Sequence, residues 1–303
     1  MIADLSIAAV FATMNRAATA VACVRALAAQ TCPPTLVVVA DNVSGDDTVK
    51  ALEALTGLPF ELVIHRMREN RGNAGGVQEA MECAFGRGAD AVWILDDDSW
   101  PRAGAMAAML DPPWDPSVVR HALQIDPQTS RFTWPLQVAD GNGGWRLIES
   151  LDGMPAGDRV RSRIIWTGAL VSREVREAVG PVNGELFIRG EDEEYPWRIE
   201  QAGFAQEAVV GAVMDHPGPE HIIRWRLLGK HFFFECGLAD WKLYYKVRNM
   251  VWLKRRQSGA WKAVAMALSY AMATGWLDGP RRLRLVRQAA CDGWCGRLGK
   301  WNG

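Results

Sequence analysis

Three consecutive carboxylates, Asp96-Asp97-Asp98, close the apolar run Ala91-Val92-Trp93-Ile94-Leu95. The run has the length and composition of a fully buried strand, with a turn immediately after it. Side chains alternate faces along a strand, so Asp96 and Asp98 can point the same way. Adjacent carboxylates repel one another unless a positive charge lies between them. A hard divalent cation, taking oxygen ligands and carrying a diphosphate on its open positions, meets that need. Taken alone, a solvated acidic turn accounts for the triplet equally well. Its place at the end of the fourth strand of an alternating series favours the ligand, because open α/β sheets bind ligands outside the carboxyl ends of their strands.

Four further groups could take part. Asp41-Asn42 ends the second strand, where a carboxylate can accept hydrogen bonds from the N–H of a base; helix capping explains Ser44 or Asp46 but does not need Asp41. Asn70-Arg71-Gly72-Asn73-Ala74-Gly75-Gly76 is a glycine-rich loop opening a helix, suited to close approach of a ligand or to positive φ. It lacks the Gly-Lys-Ser/Thr ending of a Walker loop, and it does not follow the first strand as a dinucleotide fingerprint would. Glu191-Asp192-Glu193-Glu194 is an acidic first helical turn, favoured by the helix dipole, in which one member can serve as a general base. His216 stands beside Asp215 at the carboxyl end of the last predicted strand, the same edge as the triplet, and is a candidate third metal ligand.

The elements that must position these groups follow from periodicity and punctuation. Strands are expected at Leu5–Ala12, Thr35–Ala40, Phe60–Arg66 and the run before the triplet. Helices are expected at Ala17–Gln30, from a Ser44 cap to about Leu55, and from the glycine loop to about Arg87. This alternation implies a parallel sheet with right-handed crossovers. Pro101 should open a helix to Leu110. Strand candidates follow at Val118–Ile125, Arg131–Val138 and Arg163–Val171, with a flexible turn at Gly141–Gly144. A short helix from Arg173, a helix from the acidic run to about Ala202, and a strand at Gln206–Met214 complete this part, and the chain beyond is expected to be helical.

Composition sets the frame. The chain has 303 residues, 49% hydrophobic and 23% charged, enough for a large core. Its net charge of -1 hides a division, because residues 1–220 carry 18 Lys+Arg against 31 Asp+Glu whereas residues 221–303 carry 16 against 4. The second part also holds seven of the fourteen Trp, with Arg224, Arg226, Lys254–Arg256, Arg281, Arg282, Arg284 and Arg287 among them. Two regions are therefore expected, 1–220 and a basic, Trp-rich helical 221–303. A basic and aromatic surface suits an anionic partner, and a membrane surface explains both features. The acidic body argues against a continuous track for nucleic acid. The six Cys match neither a zinc site nor a redox pair and read as reduced thiols of a cytoplasmic protein. The N-terminus has no basic region or cleavage site, and the longest uncharged apolar stretch, Ala263–Leu277, is too short to span a bilayer.

In combination, the motifs of residues 5–218 resemble the inverting family-2 glycosyltransferases of the GT-A fold. Thr13-Met14-Asn15-Arg16, Asp41-Asn42, the Asn70–Gly76 loop and the Asp triplet stand in that family's order and spacing. The Gly190–Tyr195, Asp215–Gly218 and Tyr244–Asn249 segments are most similar to bacterial galactofuranosyltransferases and rhamnosyltransferases. Gly190 stands where a Trp is common in the galactofuranosyl group, and Glu191 where Asp is usual. The resemblance implies a Rossmann-like nucleotide-binding sheet with a mixed acceptor-side sheet. It implies a nucleotide-sugar donor, UDP-galactofuranose before TDP-rhamnose, held by Thr13, Asn15, Arg16, Asp41, Asn70, Asn73, Gly75, Gly76 and Asp97. It further implies Mn²⁺ or Mg²⁺ on Asp96, Asp98 and His216, and Asp192 as general base. Trp166, Gly168, Glu191 and Trp197 are candidates for a glycan or lipid-linked acceptor, and Trp134 is another ring that could stack on a sugar.

The expected setting is cell-wall or polysaccharide synthesis, in the cytoplasm or peripherally on the inner face of the plasma membrane, with a homo-oligomer left open. Two other functions compete. A sugar nucleotidyltransferase shares such a sheet but needs a glycine-rich basic loop after the first strand, which Thr13–Arg16 does not supply. A binding module without catalysis would have lost Asp98 or Asp192, and both are present.

Overall fold

Alternation along the first strand decides the two faces of the molecule's main sheet. In β1 (Ile7–Thr13), residues Ile7, Ala9 and Phe11 enter one core with Ala20, Cys23, Val24 and Leu27 of α1 (Ala17–Ala28). Ala8, Val10 and Ala12 enter another with Val77, Ala80, Met81 and Ala84 of α3 (Gly72–Gly86). The computed structural model describes residues 5–111, 114–163, 166–219, 222–227, 230–301 and 303; at 224–227 and 230–232 the description is of the backbone.

With β2 (Leu36–Asp41), α2 (Thr48–Glu53), β3 (Glu61–Arg66) and β4 (Ala91–Ile94), the first half forms the expected parallel sheet, in the order β3-β2-β1-β4. Past β4 it becomes mixed. β10 (Ala169–Ser172) lies antiparallel to both β4 and β6 (Val118–Ile125), and β11 (Ala205–Asp215) runs parallel to β6. Then come β9 (Arg159–Arg163), β7 (Leu136–Ala139) and β8 (Trp145–Ile148). Between them run α5 (Arg173–Val179) and α6 (Glu191–Gln201).

Several expectations are corrected. Pro101 does not open a helix: Trp100–Pro101 form a two-residue strand, β5, antiparallel to the end of β11, and α4 spans Ala105–Leu110. Proline lacks an N–H and is tolerated at such an edge, where the amide of Arg102 makes the next bond, to the Val213 carbonyl at 2.9 Å. Ser44 does not cap α2. That helix begins at Thr48, whose amide donates to Asp46 Oδ1 at 2.9 Å. Arg131–Val138 follows Ser130 at φ 57°, makes an isolated bridge from Phe132 to Ile125, and only its last three residues enter β7. β9 was missed because its outward positions are Arg159 and Arg161, so only Val160 and Ser162 turn inward. The run Arg163–Val171 is not one strand: Ile164 and Ile165 lie outside the described residues, and Gly168 at φ 91° precedes β10.

The chain after residue 218 is not wholly helical. A hairpin, β12 (Ile222–Leu227) with β13 (Lys230–Glu235), precedes α7 (Asp240–Ser258), α8 (Ala260–Leu277) and α9 (Leu283–Cys295). Ile222-Ile223 and Phe232-Phe233-Phe234 are β-favouring clusters that a count of Trp and Arg obscures. The side chains of Arg224 and Arg226 lie outside the described residues. The chain divides into two compact units, 1–184 with 192–218, and 185–191 with 219–303. In the second, Leu243, Tyr244, Val247 and Val251 of α7 pack with Val286 and Ala289 of α9. The buried Arg248 there donates to the carbonyls of Leu186 (3.0 Å) and Gly299 (2.6 Å).

One buried histidine gives the first unit a pH-dependent stability. His121 on β6 is almost wholly inaccessible, with Nε2 2.5 Å from the Ser162 hydroxyl, and burial pushes its pKa down to about 3. The folded imidazole therefore stays neutral where the unfolded chain takes up a proton. Its contribution is complete above the ordinary value near 6.5 and is lost as pH falls from there toward 3. Between pH 7 and pH 5 this amounts to about 2 kcal/mol. Urea unfolding at the two pH values should show the wild type losing that much more than His121→Gln.

Candidate active site

The triplet's three carboxylates have three different surroundings. Asp97 is buried, accepts the Thr13 hydroxyl at 2.7 Å and pairs with Arg16 Nη1 at 3.1 Å. Burial pushes its pKa up to about 6, against the opposing pull of Thr13 and Arg16. Asp98 meets the other arm of Arg16, Nη2 to Oδ2 at 2.8 Å. Asp96 accepts the Thr167 hydroxyl at 2.7 Å. Burial alone would raise the Asp96 pKa, but the hydrogen bond and charge of His216 hold it below the ordinary carboxylate value.

His216 closes the group. Its Nε2 lies 3.5 Å from Asp96 Oδ2 and 3.8 Å from Asp98 Oδ1. Its Nδ1 lies 2.9 Å from the Pro217 carbonyl, which fixes Nδ1 as the donor and turns Nε2 to the carboxylates. Burial would lower its pKa, but the hydrogen bond to Asp96, then the charges of Asp96 and Asp98, raise it to about 9. The short strand β5 makes this meeting possible: Trp100 pairs with Asp215 and Pro101 with Met214, so the chain leaving Asp98 is sewn to the strand that ends at His216. One ligand atom each from Asp96, Asp98 and His216 lie within 4.8 Å of one another. Two hard oxygens and one imidazole nitrogen fit a divalent ion such as Mn²⁺, and Thr167 and Pro217 orient the donors from behind.

Several of the other expected donor-side residues also brace the scaffold. The Thr13 hydroxyl is committed to Asp97. Asn15, at φ 55°, receives the Gly45 amide on Oδ1 at 2.7 Å, while its own amide donates to Ser44 Oγ at 2.9 Å, so it braces the loop after β2. Asp41 is buried at the end of β2, with both carboxylate oxygens 3.3 Å from the Ser44 amide. Asn70 Oδ1 accepts the Gly72 amide at 2.8 Å, and Gly72 adopts φ 69° as α3 begins. Asn73 is half-buried in the first turn of α3. Gly75 and Gly76 are buried, which corrects their expected place against the ligand. A Cβ on Gly76 would lie 2.6 Å from Ala12 Cβ and 2.8 Å from Asn42 Nδ2, so α3 needs glycine there to lie against β1. A Cβ on Gly75 would meet Arg71 Cβ at 2.5 Å.

Sequence reasoning passed over two residues that do structural work at this edge. Asn42 donates to the Gly72 carbonyl at 3.0 Å and accepts the Arg71 amide at 3.2 Å, clamping the glycine loop to β2. Thr167, inside the run Arg163–Val171, orients Asp96. Nothing in its sequence context marks it, because its partner is 71 positions away.

Among the residues expected on the acceptor side, Trp166 is core rather than a stacking surface. It is buried edge-on against Tyr195 of α6, with ring centroids 5.9 Å apart. Gly168 is buried too; its amide donates to the Ile94 carbonyl at 2.7 Å, and a Cβ would meet Met214 Sδ at 3.0 Å. These contacts tie α6 to the edge that carries Asp96 through the Trp166-Thr167-Gly168 turn. At the start of α6, Glu191 and Glu194 are buried, Glu194 in an ion pair with Arg198 at 2.7 Å. Glu193 is half-buried, and Asp192 alone of the four is exposed. Trp197 is half-buried and Trp134 exposed.

Comparison with known proteins agrees with this architecture. Over 199 residues the chain is 31% identical to galactofuranosyltransferase GlfT1 of Mycobacterium tuberculosis, a match covering 63% of each chain, so the chain spans less than two thirds of that relative's length. Among solved structures, TarS residues 1–349 of S. aureus superposes with a TM-score of 0.56 at 14% identity, covering 97% of this chain and 82% of TarS. The mannosyltransferase PcManGT of Pyrobaculum calidifontis, solved with GDP-Man and Mn²⁺, gives 0.55 at 18% identity, covering 96% and 76%. At such identities the structural likeness speaks for the fold alone, and the fold is GT-A. The model of the family described as Glycosyl transferase family 2 matches residues 9–180, more than half of the sequence, and the chain belongs to that family.

Proposed function

We propose that the chain is a metal-dependent inverting glycosyltransferase. It moves a hexose, galactofuranose in preference to rhamnose, from a nucleoside-diphosphate donor to a hydroxyl of a glycan or lipid-linked acceptor. The observation that carries this reading is the Asp96–Asp98–His216 group at the carboxyl edge of a family-2 sheet. The match to a galactofuranosyltransferase favours that sugar.

The residues divide the work. Asp96, Asp98 and His216 would hold Mn²⁺ or Mg²⁺, which when bound would supply positive charge for the departing diphosphate. Asp41, Asn73 and Arg16 bind and orient the nucleotide. Asp192, exposed in the first turn of α6, takes the acceptor's hydroxyl proton. The oxygen's electron pair forms the new bond to the anomeric carbon as the carbon–oxygen bond to the diphosphate breaks on the opposite face. The diphosphate leaves with that bonding pair. A single displacement inverts the configuration, and no protein nucleophile is needed. Trp197, on the same helix, is the ring offered to the acceptor. The proposed place of work is the cytoplasmic face of a membrane, where a lipid-linked acceptor resides.

Thermal unfolding in the presence of UDP, TDP, GDP or CDP, each with and without Mn²⁺, tests the reading. A ligand at a hundred times its Kd stabilises by about 2.7 kcal/mol. UDP with Mn²⁺ should raise the transition most, and the galactofuranose donor should then be turned over. TDP in its place points to rhamnose. No shift with any nucleotide in the presence of metal overturns the donor site.

A further inference from the structure

Helix α8 carries an exposed apolar stripe along its whole length. Trp261, Val264, Leu268, Met272 and Trp276 recur at intervals of three or four residues, so they share one face about 23 Å long. Trp261 is 87% exposed, Leu268 58%, Met272 70% and Trp276 80%. The opposite side, with Ala263, Ala273 and Thr274, is buried. Leu283 extends the stripe at its far end, since a Cβ on Gly275 would sit 3.4 Å from Leu283 Cδ2. The single charge on α8 is Lys262. Soluble surfaces seldom leave two tryptophans and three large aliphatic side chains in one open row.

The charges around the stripe name its partner. Arg255 and Arg256 are exposed in the last turn of α7, just before Gly259 turns the chain into α8. Arg281, Arg284 and Arg287 are exposed just after α8 ends. Across 236–303 there are 13 Lys+Arg and three Asp+Glu. Those three acids are already engaged, Asp240 and Asp278 by Arg282 and Asp292 by Arg297. The stripe thus lies between two sets of cations, in a part of the chain where basic residues far outnumber acidic ones. No helix among the described residues is long and apolar enough to cross a membrane.

We propose that α8 lies in the plane of an anionic phospholipid surface. Its stripe sits among the acyl chains near the headgroups, and Arg256, Lys262, Arg281 and Arg284 meet lipid phosphates. Tryptophan suits this depth, with a large apolar body and one polar N–H, and arginine reaches phosphate while its stem stays apolar. Acidic lipid adds attraction for each basic residue near the surface, which salt screens.

Flotation with vesicles tests this without donor or acceptor, so its failure leaves the transferase reading intact. Wild type should float with vesicles of phosphatidylcholine containing about one-third phosphatidylglycerol, weakly with phosphatidylcholine alone, and less as salt rises. The variant Trp261→Ser/Met272→Ser/Trp276→Ser, at exposed sites that leave the melting temperature unchanged, should lose at least about tenfold in binding. Arg281→Gln/Arg284→Gln should keep weak binding and lose the preference for acidic lipid. Equal flotation with both vesicle types, no flotation, or wild-type flotation by the triple serine variant overturns the proposal. So does a wild-type dimer that the triple variant converts to monomer with no change in flotation, because the stripe would then be a self-association face.

Discussion

Asp98→Asn is expected to lower transferase turnover by about a thousandfold and to abolish the Mn²⁺-dependent part of nucleotide stabilisation. The substitution keeps the shape of the side chain and removes one of two charged oxygen donors from a three-ligand set. It also removes the ion pair with Arg16, whose Nη2 lies 2.8 Å from Asp98 Oδ2. Asp98 is partly accessible and holds no backbone element in place, so the melting temperature without ligand should move little. Its neighbour provides the contrast. Asp97 is buried, accepts Thr13 and pairs with Arg16, so Asp97→Asn should lower the melting temperature of the free protein. Steady-state turnover together with melting curves, with and without UDP and Mn²⁺, separates the two. An Asp98→Asn enzyme with more than a tenth of wild-type turnover would show that these carboxylates do not serve the donor.

The second large effect is expected at Asp192. Asp192→Asn should cost about a thousandfold in turnover, the upper part of what a positioned general base contributes. The KM for donor and the stabilisation by UDP with Mn²⁺ should remain as in wild type, since the proposed donor and metal contacts lie on other residues. The choice among four adjacent acids rests on accessibility. Glu191 and Glu194 are buried, Glu194 held by Arg198, Glu193 is half-covered, and Asp192 is open. A loss of donor binding equal to the loss of turnover would instead make Asp192 a donor contact. Full turnover in the variant would move the base to another group.

Much of the first sheet was legible in the sequence because its signals are local. β-branched runs end on polar loops, an alanine-rich segment carries helical spacing, and glycines open a helix. The grouping of Asp96, Asp98 and His216 was legible for the same reason: a triplet and a histidine each stand at the carboxyl end of a strong strand. What escaped depends on partners remote in sequence. β5 is two residues long and exists because β11 lies beside it. Thr167 and Asn42 are recognisable only by what they touch. Gly76 looked like a ligand-facing glycine, and its real constraint is the width between α3 and β1. The hairpin after residue 218 was lost to composition, which records which residues are present but not their order.

The order in which the chain is synthesised gives the Arg16 contacts a further meaning. Asp96 and His216 are 120 positions apart, so at the usual 5–20 residues per second the acid triplet leaves the ribosome roughly 6–24 s before the histidine that completes the group. Through that interval the acidic turn must be compensated by residues already made. Thr13 and Arg16 belong to the earliest strand and the loop after it, and they hold Asp97 and Asp98 without help from the later part of the sheet. The chain thus carries a counterion for its triplet upstream of it, and a nascent α/β half can settle before His216 joins that edge.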